Sequence, residues 1–156
     1  MTPPIVFELP ERLKVTLTDL VLDFTGTLSL DGELISGVAQ RIKTLSQQLR
    51  ITVLTADTFG TAAKTLQNLP VAIKFISTGK DKVEYVNRLK AEHVVAIGNG
   101  KNDVGMIKTA FLGIAVIGPE GASGELVRAA KVVVQNINDA LDLLLNPLRL
   151  KATLRE

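Results

Sequence analysis

The amino-acid sequence predicts an α/β fold, a Rossmann-like three-layer sandwich whose central, mostly parallel sheet is flanked by helices. Three observations lead to this prediction. Short apolar runs rich in Val and Ile recur along the chain, and most are continuous, which is typical of strands buried on both faces. Segments with helical periodicity separate these runs, and this alternation favours a parallel sheet. Polar residues gather directly after the apolar runs, where parallel strands end.

Six apolar runs are predicted to form the strands, at residues 15–24, 51–55, 72–77, 93–97, 112–117 and 131–134. Several of the segments between them carry apolar residues every three or four positions, a spacing that places these residues on one face of a helix. Each such segment therefore predicts a helix that packs on the sheet. One set is Val38, Ile42, Leu45 and Leu49, and another is Val83, Val86 and Leu89.

The two ends of the chain depart from this alternation. Residues 5–9 and 14–18 flank Pro10 and indicate an N-terminal β-hairpin at the edge of the sheet, and Asp31-Gly32 marks a second hairpin turn. Near the C-terminus a helix is predicted over about residues 136–150, which Pro147 should end or kink. No linker is evident, so we expect one domain over 1–156 with its core at about 15–134.

The composition of the 156 residues excludes several classes of protein. Hydrophobic residues make up 46% and charged residues 22%, which are globular proportions. The absence of Cys excludes disulfides and Cys-ligated zinc, and a single His argues against a His-rich metal site. A net charge of +2 without a basic block argues against nucleic acid as a partner. No apolar run reaches the roughly 18 to 20 residues of a membrane helix, and no signal peptide is evident, so we expect a cytoplasmic protein.

Polar side chains lie at or directly after the ends of four of the predicted strands. The carboxyl ends of parallel strands meet at one edge of a sheet, so we expect these side chains to converge there. Carboxylates, hydroxyls and lysines in one place suit a phosphate group and a hard cation such as Mg²⁺. The residues are Asp23, Thr25 and Thr27, then Thr55, Ala56 and Asp57, then 78–82, and then 98–103.

Each of these groups also has a simpler structural explanation. Asp23 and Thr55 are typical residues for turns and helix N-caps, the lysines in 78–82 suit a solvated helix start, and 98–103 suits a glycine-rich turn before a helix. Residues 118–122, G-P-E-G-A, indicate a turn that enters a helix, although their backbone amides could also meet an anion. The order of the four groups along the chain nevertheless favours a functional site.

These segments resemble the motifs of the haloacid dehalogenase superfamily of phosphotransferases, and within it the phosphorylation domain of P-type ATPases. The resemblance covers residues 15 to about 134, and it is closer to small soluble P-type-ATPase-like proteins. Four segments carry it, namely DFTGTLS at 23–29, LTAD at 54–57, GKDK at 79–82 and GNGKND at 98–103.

The resemblance implies a catalytic role for three of these groups. Asp23 would be the nucleophile that forms an aspartyl phosphate. Gly26, Thr55 and Ala56 would bind the phosphoryl group. Lys82, preferred over its neighbour Lys80, would neutralise charge on Asp23 and on the phosphoryl group, because an anionic nucleophile attacks a phosphate only when cations and donors offset the repulsion.

The resemblance also implies a magnesium site. Asp23, the backbone carbonyl of Thr25, and Asn99 would hold Mg²⁺, with Asp103 as a further ligand or directly behind it. Two positions depart from the family pattern. Hydrolytic members usually carry Asp where this chain has Thr25, which cannot accept a proton near neutral pH. Asn99 replaces a usual Asp, which removes one negative charge and should weaken binding of the cation.

The sequence therefore predicts one of two alternative functions. The first is a Mg²⁺-dependent phosphohydrolase, a haloacid dehalogenase-like phosphatase that acts through phospho-Asp23. The second is a weak or inactive module of the same fold that binds phosphate and regulates a partner. The intervals from Asp23 to Thr55 and from Thr55 to Lys82 are too short for a cap domain. An uncapped site suits a large phosphorylated substrate, or a homo-oligomer in which a neighbouring subunit serves as the lid and residues 140–150 form a contact.

Overall fold

The computed structural model describes residues 3–11, 13–56 and 60–156, and it confirms the predicted α/β fold. Six parallel strands form one sheet in the order β10-β9-β8-β3-β6-β7. The strand that ends at the candidate nucleophile, β3, lies inside the sheet between β6 and β8. The strand bounds are β3 Asp19–Asp23, β6 Arg50–Thr55, β7 Ala72–Phe75, β8 Val94–Gly98, β9 Leu112–Val116 and β10 Val132–Val134.

Helices cover both faces of this sheet. Successive residues of β3 point to opposite faces, so that Leu20 and Leu22 join one apolar core while Val21 joins the other. Helices α1, α2, α6 and α7 contribute to the first core, and α3, α4 and α5 contribute to the second. The helix bounds are α1 Val38–Leu45, α2 Thr61–Leu66, α3 Gly79–Arg88, α4 Val104–Thr109, α5 Gly124–Ala129, α6 Ile137–Leu145 and α7 Pro147–Leu154.

The N-terminal hairpin exists, but its predicted place at the edge of the main sheet is wrong. Strands β1 (Ile5–Glu8) and β2 (Lys14–Leu17) pair with each other in a separate two-stranded sheet. The apolar run 15–24 is consequently not one strand, because β2 pairs with the hairpin and β3 pairs with the parallel sheet. The second hairpin is confirmed, with β4 (Ser29–Leu30) and β5 (Glu33–Leu34) on either side of the Asp31-Gly32 turn.

The predicted helix over 136–150 is two helices. Helix α6 ends at Leu145, before Pro147 as the sequence indicated, and α7 then begins at Pro147 and continues to Leu154. Proline is well tolerated at the first position of a helix, because the N–H that it lacks would have no partner within the helix. Leu150 of α7 is buried against the first core, while Leu148 is exposed.

No cap domain interrupts the described part of the fold. The segment between β3 and β6 holds the β4–β5 hairpin and α1, and the segment between β6 and α3 holds α2 and β7. In the described ranges, no helix has both the length and the apolar character needed to cross a membrane.

Candidate active site

The four polar groups predicted from the sequence converge at the carboxyl edge of the parallel sheet. A cleft of about 450 Å³ opens there. Asp57, which the sequence placed in the same group as Thr55, lies outside the described residues. Predicted site residues that line the cleft are Asp23, Thr25, Thr55, Ala56, Lys82 and Asn99.

Lys82 lies between two carboxylates at the base of the site. Its Nζ is 2.7 Å from Oδ1 of Asp103 and 3.3 Å from Oδ1 of Asp23. The start of α3 places it there, because the Thr78 side chain caps this helix by accepting a hydrogen bond from the N–H of Asp81. The Lys82 side chain is buried, whereas that of Lys80 is exposed. Of the two lysines considered from the sequence, the structure therefore brings Lys82 into the site.

The buried cluster holds more negative than positive charge. Burial is the main cause that raises the pKa of Asp23 to about 7, and the charge of Asp103 adds to it, while Lys82 and Thr27 act in the opposite direction. Burial alone would lower the pKa of Lys82, but the two carboxylates reverse this effect and raise it, so Lys82 stays protonated. One ammonium shared by two carboxylates leaves a net negative charge that a bound cation would balance.

Asp103 has partners on both of its oxygens. Oδ1 accepts from Lys82, and Oδ2 accepts from the backbone N–H groups of Asn99 (3.3 Å) and Gly100 (3.1 Å). A Cβ atom at position 98 would lie only 2.5 Å from Oδ2 of Asp103, so this close approach requires Gly98. Asp103 thus holds Lys82 and the turn after β8 in place, and its role as a direct metal ligand stays a prediction.

Thr27 connects the nucleophile candidate to Asn99. Its hydroxyl oxygen lies 3.2 Å from Oδ2 of Asp23 and 3.2 Å from Oδ1 of Asn99. The other end of the Asn99 amide donates to the carbonyl of Gly121 at 3.1 Å. These two contacts orient Asn99 with its amide oxygen toward Thr27 and its amide nitrogen toward Gly121. The sequence singled out Thr27 only as a polar residue after a strand, and nothing in its spacing indicated this link.

The loop after β3 is tightly turned. The N–H groups of Thr27, Leu28 and Ser29 all donate to the carbonyl of Phe24, and Gly26 has a φ of 77°. The N–H of Gly26 donates to the carbonyl of Ser29 at 3.0 Å, so it is engaged within the loop. The predicted phosphate-binding role of Gly26 stays a prediction. Gly32 and Thr61 also line the cleft, and no sequence motif assigned either of them to the site.

The oxygen donors at the cleft fit a weakly held hard cation. They are the carboxylate of Asp23 and the amide oxygen of Asn99, and Mg²⁺ accepts such ligands while it retains several waters. Thr25 also lines the cleft, and its carbonyl as a ligand stays a prediction. In the described part of the chain, no group of three or more His, Cys, Asp or Glu side chains could hold a metal ion. A cation here would thus depend on backbone, amide, water and substrate oxygens as well as on Asp23.

Comparisons with known proteins agree with this fold. The sequence model of a family described as haloacid dehalogenase-like hydrolase matches residues 34–141. An uncharacterized protein of Methanocaldococcus jannaschii is 51% identical over 79 residues, which are 48% of this chain and 85% of that protein. The human phospholipid-transporting ATPase ID is 48% identical over 44 residues, a local similarity that covers 28% of this chain and 4% of the transporter.

Among solved structures, the fold is similar to a 3-deoxy-D-manno-octulosonate 8-phosphate phosphatase from Moraxella catarrhalis. The TM-score is 0.70 at 15% sequence identity, and the match covers 83% of this chain and 86% of that enzyme. That enzyme was crystallised with a magnesium ion, a phosphate ion and a KDO molecule. At this identity the similarity establishes the fold alone.

Proposed function

We propose that this chain, which belongs to the family of haloacid dehalogenase-like hydrolases, is a Mg²⁺-dependent phosphohydrolase that acts through an aspartyl phosphate on Asp23. One observation carries the proposal. The buried ammonium of Lys82 bridges Asp23 and Asp103 at the base of a cleft, where the loops after β3, β6 and β8 meet. A carboxylate held in this way is oriented and partly neutralised for attack on an anionic substrate.

In the first step an oxygen of Asp23 attacks the phosphorus of a phosphate monoester. The new P–O bond forms as the bond to the leaving oxygen breaks, and the leaving alkoxide or phenoxide takes a proton from water. Lys82 offsets the charge that Asp23 shares with the phosphoryl group, and Thr55 donates to a phosphoryl oxygen from the end of β6. Asp23, Asn99 and the Thr25 carbonyl would hold Mg²⁺, which would further neutralise the charge of the phosphoryl oxygens.

In the second step water attacks the phosphorus, Asp23 leaves as a carboxylate and the proton of the water goes to solvent. A carboxylate at position 25 would accept that proton, but Thr25 cannot. Because general base assistance typically contributes about 10²- to 10⁴-fold to a rate, phospho-Asp23 should form faster than it is lost.

Rapid-quench kinetics with an activated aryl phosphate and Mg²⁺ test this proposal. We expect a burst of phenol equal to the enzyme concentration, slow steady-state turnover and acid-stable phosphoprotein. Asp23→Asn should remove all three, while Asp31→Asn, an exposed carboxylate in the nearby β4–β5 turn, should keep them. Thr25→Asp should raise the steady-state rate and reduce the burst. Fast wild-type turnover without a burst, unchanged in Thr25→Asp, would show that another base serves the second step.

The second candidate function is a phosphate-responsive binding module. The two departures, Thr25 and Asn99, favour it, because they remove a proton acceptor and a cation-binding charge from the site. In that case the protein would bind phosphate or beryllium fluoride at Asp23 without releasing phenol from any aryl phosphate.

The access to the site also bears on the substrate. No cap lies over the cleft in the described ranges, so the proposed substrate is a large phosphorylated molecule or one enclosed by a second copy of the chain. We propose residues 1–156 as one catalytic domain of this kind.

A further inference from the structure

The turn at residues 118–121, G-P-E-G, connects β9 to α5 and packs against the loop of the nucleophile candidate. The carbonyl of Gly26 lies 3.3 Å from where a Cβ atom of Gly118 would be. Gly121 accepts the hydrogen bond from the Asn99 amide, and the N–H of Ser123 donates to the Asn99 carbonyl at 2.9 Å. The sequence indicated a simple helix entry here, but the turn is also part of the wall around Asn99.

This turn brings the exposed carboxylate of Glu120 to the side of Gly26 where the amide nitrogen of Asn99 also lies. A Cβ atom at Gly26 would lie 2.7 Å from Nδ2 of Asn99, 3.1 Å from Cδ of Glu120 and 3.2 Å from Oε2 of Glu120. Gly118 and Gly121, with φ values of 60° and 76°, allow the tight turn that directs Glu120 back toward Gly26. Among the described residues, no lysine or arginine forms an ion pair with Glu120.

We propose that Glu120 supplies, from outside the ligand shell, the negative charge that the cation site lacks because position 99 is Asn. This proposal rests on the proposed function, since it concerns the same cation. Glu120 is a positioning and charge-balancing residue that does not touch the reacting atoms. A carboxylate beside Asn99 with no cationic partner in the described chain attracts a divalent ion, and without that ion it repels an anionic substrate.

The charge of Glu120 therefore has opposite effects on two ligands. Replacement by Gln keeps the size of the side chain and removes the charge, so Mg²⁺ should bind less tightly and inorganic phosphate, in the absence of metal, should bind more tightly. A merely structural role would not produce this reversal, because a distorted loop would weaken the binding of both ligands.

The test compares wild type, Glu120→Gln, Glu120→Asp and a control, Glu125→Gln, which removes an exposed carboxylate from α5. Calorimetric titration with Mg²⁺ at low salt should show a Kd about tenfold higher for Glu120→Gln, as expected for one charge acting on a divalent ion through solvent. The difference should shrink as NaCl screens the interaction. Glu120→Asp should recover part of the affinity, and Glu125→Gln should match wild type.

A second titration with inorganic phosphate in EDTA should give a Kd about two- to threefold lower for Glu120→Gln than for wild type. Equal Mg²⁺ affinity in wild type and Glu120→Gln, loss of affinity for both ligands, or no Mg²⁺ binding by wild type would each overturn the proposal. These titrations are independent of turnover. A chain whose Mg²⁺ affinity depends on the charge of Glu120 yet forms no phospho-Asp23 would refute the proposed function and leave this inference standing.

Discussion

Strand β3 carries a buried aspartate at each end, and the two are balanced differently. Asp19, at the amino end, accepts a two-pronged interaction from Arg50 at 3.0 and 2.8 Å and a hydrogen bond from Thr18 at 2.7 Å. Asp23, at the carboxyl end, shares a single buried ammonium with a second carboxylate. The first aspartate forms a neutral pair and the second belongs to a cluster with excess negative charge.

Charge imbalance and cavity size indicate different edges of the sheet as the candidate site. The cleft at the amino edge, beside Asp19 and Arg50, has a volume of about 760 Å³ and is larger than the one of about 450 Å³ at the carboxyl edge. The larger cleft holds a satisfied ion pair. The smaller one holds a carboxyl group whose pKa burial and Asp103 raise to about 7, and such perturbed groups concentrate at functional sites.

The largest expected effect is a difference in activity between variants of the two aspartates. Asp23→Asn should lower the rate of phosphoryl release by at least about 10³-fold, because it removes the proposed nucleophile. Asp19→Asn should leave that rate within a few-fold of wild type and affect mainly stability. Single-turnover assays on both folded variants measure this contrast. Equal losses in the two variants would mean that Asp23 has no special chemical role.

The next largest effect concerns the cations. Lys82→Met should lower the free energy of unfolding by about 3 to 5 kcal/mol, since it leaves two buried carboxylates without a cationic partner. Arg50→Met should cost about 1 to 2 kcal/mol, because the Arg50 side chain is 72% exposed and water can take its place beside Asp19. Urea unfolding at pH 8 in EDTA measures both. A smaller loss for Lys82→Met than for Arg50→Met would contradict the description of the buried cluster.

A third effect follows from the pKa of Asp23, which is raised from 3.8 to about 7 in the folded protein. Between these values the folded state retains a proton that the unfolded state releases, so this group's contribution to stability is complete below pH 3.8 and is lost as the pH rises to about 7. Asp23→Asn does not titrate at this position. In EDTA, the stability of the variant relative to wild type should therefore increase from pH 4 to pH 8, and a constant difference in urea unfolding would oppose this assignment.

The smallest expected effect tests whether the excess negative charge around Asp23 helps to bind a cation. Asn99→Asp adds a carboxylate near Asp23, so it should lower the Mg²⁺ Kd by about tenfold or more and reduce the melting temperature in EDTA. The matched change at the amino edge is less informative because no cation site is proposed there. Calorimetry that shows no gain in Mg²⁺ affinity would count against Asn99 as a ligand.

Much of the fold was predictable because it depends on local patterns. Continuous apolar runs identified the sheet, and polar residues after the runs identified the convergence of Asp23, Thr55, Lys82 and Asn99 at one edge. The exceptions depend on partners distant in sequence. The run at 15–24 has uniform composition, so nothing in it shows that β2 pairs with the hairpin while β3 pairs with the parallel sheet.

The residues of the candidate site were largely predictable from the sequence, whereas the hydrogen bonds between them were less so. Spacing and resemblance pointed to Lys82 and Asp103, but the contacts of Asn99 with Thr27 and Gly121 arise from three loops that meet only in the folded chain. His93 is half-buried, and its Nδ1 lies 2.9 Å from the Thr16 carbonyl. This contact forms because the segment before β8 packs against the hairpin strand β2, a tertiary arrangement that no short motif encodes.

The hydroxyl of Thr27 has one hydrogen and two neighbouring acceptors, Asp23 and Asn99, at equal distances of 3.2 Å. A charged carboxylate is the stronger acceptor, so the hydrogen should favour Asp23 while that group is anionic. Once Asp23 is esterified by phosphate, the hydrogen should turn to Asn99. Phosphorylation of Asp23 would then change the side-chain amide resonances of Asn99 and the backbone resonance of Gly121, although neither residue is itself modified. Nuclear magnetic resonance spectra with and without beryllium fluoride would record this change. The Asn99 amide would then serve as an intrinsic spectroscopic probe of phosphorylation at Asp23.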